Sequence, residues 1–383
     1  MDNLLRVILW LFIFIVAYVY LGYPLLLLTL FKLRNSSPME KADITPAVSF
    51  IIAAYNEEKT IAQKIVNSLN LDYPKDRLEI IIVSDGSTDR TNEIVQIFIE
   101  QGIKFIALDT NQGKSCAQNK AVSLACGDIL FFTDANVMLR RDAARIIVNC
   151  FKDNKIGCVV GKVAYVNESD SSVSQGEGFY WRYELFLREL ESKIGNLAMG
   201  SGPIMAIRRA LFQTLDPNAG EDFVLPIQIV MKGYRVIYEP EAISEEILFQ
   251  NTPVKMVKSK IRIVSKDLRG LYLNKEILNP FRFPLYAWGL ISHKLLRWLV
   301  PYFLIVIFFA NLFLLSIPFY LSIFIVQVFF YISSIIGYVW QKKKKPPLIF
   351  AIPFSFSLVN LAALIGVGKS IAGKKSGKWE TFR

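Results

Sequence analysis

The sequence predicts an α/β domain, a mostly parallel sheet with helices on both faces, set between apolar segments long enough to cross a membrane. Three observations predict it. Short apolar runs alternate with helical patterns from residue 48 to residue 132. Polar, acid-bearing motifs follow the ends of those runs. The chain is 53% hydrophobic over 383 residues, and its longest apolar stretches lie outside that region.

Val48–Ala53 (VSFIIA) is a short continuous apolar run of strand type. Lys59–Leu69 places Ile61, Ile65 and Leu69 at helical spacing. Leu78–Val83 (LEIIIV) is a second buried strand, and Asp89 opens a helix reaching about Glu100. Ile103–Leu108 is a third strand, Lys114–Ala125 a third helix and Ile129–Phe132 a fourth strand. Such alternation implies a parallel sheet covered on both faces. Ligands bind such sheets at the carboxyl ends of the strands, where the polar motifs fall.

Residues 4–31 carry one charge, Arg6, and exceed the roughly 20 residues that cross a bilayer. The run is too long for a signal peptide and lacks a small-residue cleavage site. Trp298 to Trp340 is nearly uncharged and long enough for two spans, and residues 348–367 form a weaker stretch containing Pro353. Within residues 254–272, Val257, Ile261, Val264, Leu268 and Leu271 recur at spacings of four and three, with basic residues opposite. That pattern fits a helix in the membrane interface, or a surface helix packed on a core. Residues 280–297, with Trp288 and Arg297, continue along the interface in this reading. The organisation expected is therefore an N-terminal span over 1–33, a domain over 34–250, interfacial helices over 251–297, and a region of two to three spans with a basic tail over 298–383.

The formal net charge is +11. Cations cluster at Lys342–Lys345, in the tail (Lys369, Lys374, Lys375, Lys378 and Arg383) and across residues 255–275, where Asp267 is the only aspartate. Clusters flanking apolar segments mark a cytoplasmic face and attract anionic lipid headgroups. No aromatic–basic motif accompanies them, so nucleic acid is not an expected partner. A full fourth span would send the tail outside, against the positive-inside tendency, so a re-entrant or interfacial course for 346–367 stays open. Cys116, Cys126, Cys150 and Cys158 form no C-x-x-C pair and read as reduced structural thiols. The single histidine, His293, lies beside the membrane segments, which excludes a histidine-rich zinc site or a Ser-His-Asp triad in the domain.

Four motifs carry the chemistry. Ala54-Tyr55-Asn56-Glu57-Glu58 follows the first strand, Ser84-Asp85-Gly86-Ser87-Thr88-Asp89 the second and Thr133-Asp134-Ala135-Asn136 the fourth. Gly220-Glu221-Asp222 precedes a helical run. Each has a plain structural explanation alone: turns, a helix cap at Asp89, acids at the positive end of a helix dipole. Several acidic motifs on one ligand-binding edge favour a site.

From about Val48 to Glu246 the sequence resembles a family 2 glycosyltransferase with the GT-A fold. The residues that carry the resemblance are AAYNEEKTI (53–61), VSDGSTDRT (83–91), NQGKSCAQNKA (111–121), FTDAN (132–136), GSGPIMAIRR (200–209) and GEDF (220–223). The attached spans resemble the membrane-integrated branch that includes cellulose, hyaluronan and poly-N-acetylglucosamine synthases.

The resemblance implies a nucleotide-sugar donor, a UDP-sugar first. Asp85 would contact the base, with Ala54, Tyr55 and Glu57 lining the same pocket. Lys114 would approach the nucleotide or diphosphate as a point charge. Asp134, with Asn136, would hold Mg²⁺ or Mn²⁺, hard cations suited to oxygen ligands. Asp222 would be the general base, and attack opposite the leaving diphosphate would invert the anomeric carbon. Gly200, Ser201 and Gly202, with Glu221, would shape the acceptor pocket. The chain departs from the family in two places. Its metal motif reads Asp134-Ala135-Asn136 in place of Asp-x-Asp. The Q-x-x-R-W motif of processive members is absent, the nearest region being Lys260-Ile261-Arg262-Ile263, where Arg262 is a candidate diphosphate contact.

The expected function is transfer of a hexose or N-acetylhexosamine to a growing polysaccharide or a lipid-linked acceptor, at the cytoplasmic face of a bacterial or archaeal plasma membrane. An export partner subunit would serve a product channel. Two alternatives stay open: a single-sugar transferase acting on a lipid carrier, and a catalytically inactive membrane assembly subunit. A pure transporter fits poorly, because most of the chain is the globular domain.

Overall fold

A computed structural model describes residues 2–33, 42–167, 173–195, 197–248, 252–341 and 346–373. Lys342–Lys345 and the tail cations Lys374, Lys375, Lys378 and Arg383 lie outside the described residues. The strands are β1 (Val48–Ala54), β2 (Leu78–Asp85), β3 (Ile103–Leu108), β4 (Ile129–Asp134), β5 (Val137–Leu139), β6 (Ile156–Asn167), β7 (Met205–Arg208) and β8 (Arg235–Leu248). They form one sheet in the order β3-β2-β1-β4-β7-β6-β8-β5. The β3-β2-β1-β4 half is parallel, as is β6 with β8, whereas β7 runs antiparallel to β4 and β6, and β5 antiparallel to β8.

Strands β1, β2 and β4 are buried on both faces, which is why they read as unbroken apolar runs, whereas the edge strand β3 is partly exposed. Alternate side chains of β1 go to opposite layers. Phe50 and Ile52 pack with Ile61, Ile65, Ala144 and Ile147 on one face. Ile51 and Ala53 pack with Ala117, Ala121, Val224 and Ile229 on the other. The expected first and third helices are present as Ile61–Leu69 and Lys114–Val122. The helix expected from Asp89 to about Glu100 is shorter, Thr91–Gln96, followed by a 3-10 turn over Ile99–Gln101. Ile97 and Ile99 are exposed, so no packed face extends that helix.

Among the described residues four helices are long and apolar enough to cross a membrane: Asp2–Leu33, Pro284–Leu312, Pro318–Trp340 and Leu348–Ile371. The second begins inside the stretch read from sequence as interfacial, and the last is a single helix despite Pro353. Arg297, one of the two residues that made 280–297 look interfacial, is satisfied by the domain, as is the neighbouring Lys294. Glu184, on the Val173–Lys193 helix, accepts from Lys294 at 3.1 Å and from Arg297 at 3.0 Å. His293 is buried between Glu184 (3.1 Å) and Glu191 (2.6 Å). Burial alone raises the Glu184 pKa, but Lys294, His293 and Arg297 together hold it well below the usual carboxylate range.

The same region joins two membrane helices. Each carries one turn of π-helix, Tyr18–Gly22 and Ile291–Leu295. The widened turns meet where the Tyr18 and Ser292 hydroxyls lie 2.7 Å apart and Trp288 Nε1 donates to the Tyr18 hydroxyl at 2.8 Å.

The Pro253–Leu273 helix lies where the amphipathic pattern puts it. Its Val264 and Leu271 join a cluster with Trp298 and Val367 of the membrane helices and with Phe223 and Ile227 of the Glu221–Met231 helix. The Glu221–Met231 helix therefore lies between two apolar layers, the sheet and the membrane module.

Candidate active site

The site forms at the carboxyl ends of β1, β2 and β4, closed by the start of the Glu221–Met231 helix. Two loops are laced together there. Thr88 N donates to Asn56 Oδ1 at 2.8 Å, and Glu57 N to Thr91 Oγ1 at 2.7 Å. Asp89 accepts from Thr91 N at 3.0 Å and from Glu58 N at 3.1 Å, so it serves the expected turn and the neighbouring loop. Ala54 is buried at the end of β1 beside Ser84. Tyr55 is partly exposed. Glu57 is buried and accepts from Thr60 Oγ1 at 2.6 Å.

Asp85 ends β2 and is fully buried. Its two oxygens accept from Gln112 N and Gly113 N, each at 2.8 Å. Burial raises its pKa and the two amides oppose the shift. Asp85 thus anchors the loop that presents Lys114. Gly113 has φ of 100°, a conformation glycine adopts without strain, and the Lys114–Val122 helix starts at the next residue.

Lys114 is the hub. Its Nζ lies 2.5 Å from Asp134 Oδ1 and 2.5 Å from Glu221 Oε1. Burial works against its charge, but the two carboxylates hold its pKa above the usual lysine value. Ser115 Oγ donates to Ala219 O at 3.1 Å, tying this helix to the turn before Glu221.

Asp222 follows. Burial and the Glu221 charge push its carboxyl up to about 6, against the pull of Lys114 and Arg188. The position of its backbone follows from Pro226, which sits inside the helix and has no N–H to bond the carbonyl four residues back. The Asp222 carbonyl accepts from Gly200 N at 2.8 Å instead. A side chain at Gly200 would place a Cβ 2.7 Å from that carbonyl oxygen, and one at Gly202 would come within 3.1 Å of Lys114 Nζ and Glu221 Oε1. Ser201 between them is buried. The three small residues expected to shape the acceptor pocket thus lie against the acids.

Several site residues were missed by the sequence reading. Asn136 Nδ2 donates to Glu246 Oε1 at 3.0 Å, because β5 pairs with β8 and sets Val137 opposite Glu246. Burial and the nearby Asp134 charge push Glu246 up to about 7. From the Pro253–Leu273 helix come buried Lys266 and Asp267, a turn beyond Arg262. Burial lowers Lys266, and Arg262 adds to that shift while Glu221 opposes it. Burial, then Asp222, raises Asp267 well above the carboxylate range. Arg188 was missed because its helix lies outside the quoted motifs. The only signal for Lys266 and Asp267 was their place in the basic amphipathic segment.

For a divalent cation the available donors are the Asp134 and Glu246 carboxylates and the Asn136 amide oxygen. All are hard oxygen ligands of the kind Mg²⁺ and Mn²⁺ take. Among the described residues no group of three or more His, Cys, Asp or Glu is arranged to hold a metal unaided. The set fits a cation whose remaining positions are filled by water and substrate oxygens, the usual arrangement where phosphates are bound.

Residues 49–216 match the family described as glycosyl transferase family 2. The match includes Asp85, Lys114 and Asp134 and stops just short of Glu221. The chain is 32% identical over 223 residues to the probable glycosyltransferase YdaM of Bacillus subtilis (strain 168), covering 52% of this chain and 50% of that protein. It is 28% identical over 262 residues to the poly-beta-1,6-N-acetyl-D-glucosamine synthase of Staphylococcus aureus (strain COL), covering 66% of this chain and 62% of that protein. The chain thus spans about half to under two thirds of the length of these relatives. In three dimensions it is similar to a mannosyltransferase from Pyrobaculum calidifontis, solved in complex with GDP-Man and Mn²⁺. That likeness has a TM-score of 0.73 at 22% identity and covers 96% of this chain and 100% of that one. Residues 49–216 thus match glycosyl transferase family 2, in a chain that shares its fold with a solved mannosyltransferase and has helices long and apolar enough to cross a membrane.

Proposed function

We propose that this protein is a membrane-embedded inverting glycosyltransferase that moves a sugar from a nucleoside-diphosphate sugar, a UDP-sugar first, to a glycan or lipid-linked acceptor at the cytoplasmic face. The observation that carries this reading is the adjacency of two opposite devices. A buried carboxylate, Asp222, has its pKa pushed up to about 6, and beside it a lysine is gripped by Asp134 and Glu221.

A general base works best when its pKa is close to the working pH. Asp222 takes the proton of the acceptor hydroxyl as that oxygen attacks the anomeric carbon. The C–O bond to the diphosphate breaks on the opposite side, so an α-linked donor gives a β-linked product. The leaving diphosphate gains charge as the bond breaks. Lys114 supplies a compact cation to it, with Lys266 and Arg262 from the neighbouring helix. Asp134, Asn136 and Glu246 are the residues that would hold Mg²⁺ or Mn²⁺, which when bound acts as a Lewis acid on the diphosphate oxygens. Gly200, Ser201 and Gly202 leave room for the acceptor next to Asp222. The Glu184 cluster fixes the domain on its membrane helices, so that an acceptor held in the bilayer meets the site in one orientation.

The test is release of nucleoside diphosphate by the protein in lipid nanodiscs across a panel of UDP- and GDP-sugars, with Mg²⁺ or Mn²⁺, followed by sizing of the product. Turnover with one donor supports the reading and names the sugar; a single addition to a lipid carrier and a polymer are separated by product size. No release with any donor, with or without added lipid-linked acceptor, would favour an inactive assembly subunit.

A further inference from the structure

Beneath the Asp134–Asn136 turn lies a buried amine that the proposed chemistry does not use. Lys64, on the Ile61–Leu69 helix, is fully buried. Its Nζ donates to Thr133 Oγ1 at 2.8 Å and to Val137 O at 2.5 Å. It lies 5.8 Å from the centre of the Phe50 ring. Among the described residues no carboxylate is within ion-pair distance of it. A buried lysine amine without a paired anion is a costly choice for a core, and Leu or Met would fit the apolar layer around Phe50, Ile61 and Ile65 without that cost. What the amine gains is specific. Thr133 and Val137 are the residues on either side of Asp134-Ala135-Asn136, so one amine clamps both ends of the turn. Burial lowers the Lys64 pKa to about 7, and Asp134 is the one carboxylate that opposes that fall.

We infer that Lys64 is a positioning residue for the cation and the donor diphosphate: its amine clamps both ends of the Asp134-Ala135-Asn136 turn and so sets the spacing of Asp134 and Asn136. The inference rests on the proposed reading that this turn holds a divalent cation. It concerns only the arrangement of the site, because Lys64 lies behind the turn and reaches no reacting atom.

The experiment measures Mn²⁺ binding by electron paramagnetic resonance on the full chain in nanodiscs, with UDP and in parallel with GDP. Nucleotide binding without metal is measured on the same samples. Lys64→Met is expected to raise the half-saturating Mn²⁺ concentration about tenfold or more, the usual effect of losing a residue that orients metal ligands. Metal-free nucleotide binding should hold to within about twofold, since the rest of the pocket is untouched. Lys64→Ala should regain Mn²⁺ affinity on addition of ethylammonium and not on addition of ethanol, because the amine that donates to both Thr133 and Val137 is what is missing. If the Lys64 variants do not fold, Thr133→Val removes one end of the clamp at constant volume and should shift Mn²⁺ affinity in the same direction by a smaller factor. Wild-type Mn²⁺ affinity in a folded Lys64→Met or Thr133→Val protein overturns the inference. So does an equal loss of metal-free nucleotide binding without rescue by ethylammonium, the mark of a merely structural lysine. If the wild-type protein binds Mn²⁺ with neither nucleotide, the metal-dependent reading of the site falls together with this one.

Discussion

Lys114 and Asp134 meet at 2.5 Å, at the edge where the cation of a metal-dependent transferase would have to sit. The lysine stands between Asp134 and Glu221 as an internal counter-ion, and a divalent ion and Lys114 compete for the same Asp134 oxygens. Lys114→Met is therefore expected to bind bare Mn²⁺ more tightly than the wild type while losing about 10²–10³ in kcat, the usual effect of removing one stabiliser of developing charge. Calorimetric titration with Mn²⁺, beside turnover, checks both halves. A variant that loses metal affinity and turnover together would contradict the competition.

The Asp222 carboxyl is pushed up to about 6, and a base must be ionised to act. Activity is expected to be level above that pH and to fall about tenfold per unit below it, as the carboxylate takes up its proton. The neighbours move this acid limb in opposite directions. Glu221 raises the Asp222 pKa and Arg188 lowers it. Glu221→Gln should move the limb to lower pH, and Arg188→Met should move it to higher pH. Profiles of kcat/KM for the three proteins test the signs.

Glu246 faces Asn136 at 3.0 Å and, in the proposed site, would supply the carboxylate that the Asp134-Ala135-Asn136 motif lacks. Glu246→Gln keeps the shape and removes the charge. It is expected to raise the half-saturating metal concentration by about 10- to 100-fold. Metal titrations at saturating donor check this, and an unchanged metal requirement would remove Glu246 from the site.

Glu184 satisfies Lys294 and Arg297 and touches His293 where the domain meets the membrane helices. Glu184→Gln leaves buried cations without their shared anion. It is expected to destabilise the protein by about 3–5 kcal/mol, the range for breaking one partner of a buried pair. Thermal unfolding in nanodiscs reads this, and an unchanged midpoint would show that the cluster relaxes to solvent.

The parallel half of the sheet was legible because β1, β2 and β4 are buried on both faces and so carry uninterrupted apolar residues. The positions of Asp85, Lys114, Asp134 and Asp222 were legible as motifs at strand and helix ends. The role of Asp85 was less so, since nothing local says that both its oxygens hold the backbone of Gln112 and Gly113. Lys64 looks like a polar-face residue of an amphipathic helix, and only the fold reveals that its amine runs under the Asp134 turn. Glu246 stands 110 residues from Asn136, and the antiparallel pairing of β5 with β8 brings them together. Trp288 and Arg297 argue for an interface when seen alone; the Arg297 partner, Glu184, is 113 residues away.

The most direct test of the central claim compares wild type and Asp222→Asn for donor binding and for nucleoside diphosphate release under the same conditions. The account predicts that the variant binds the donor and metal as the wild type does, while release falls by about 10²–10⁴, the contribution of a general base. Release at the wild-type rate by Asp222→Asn would contradict it.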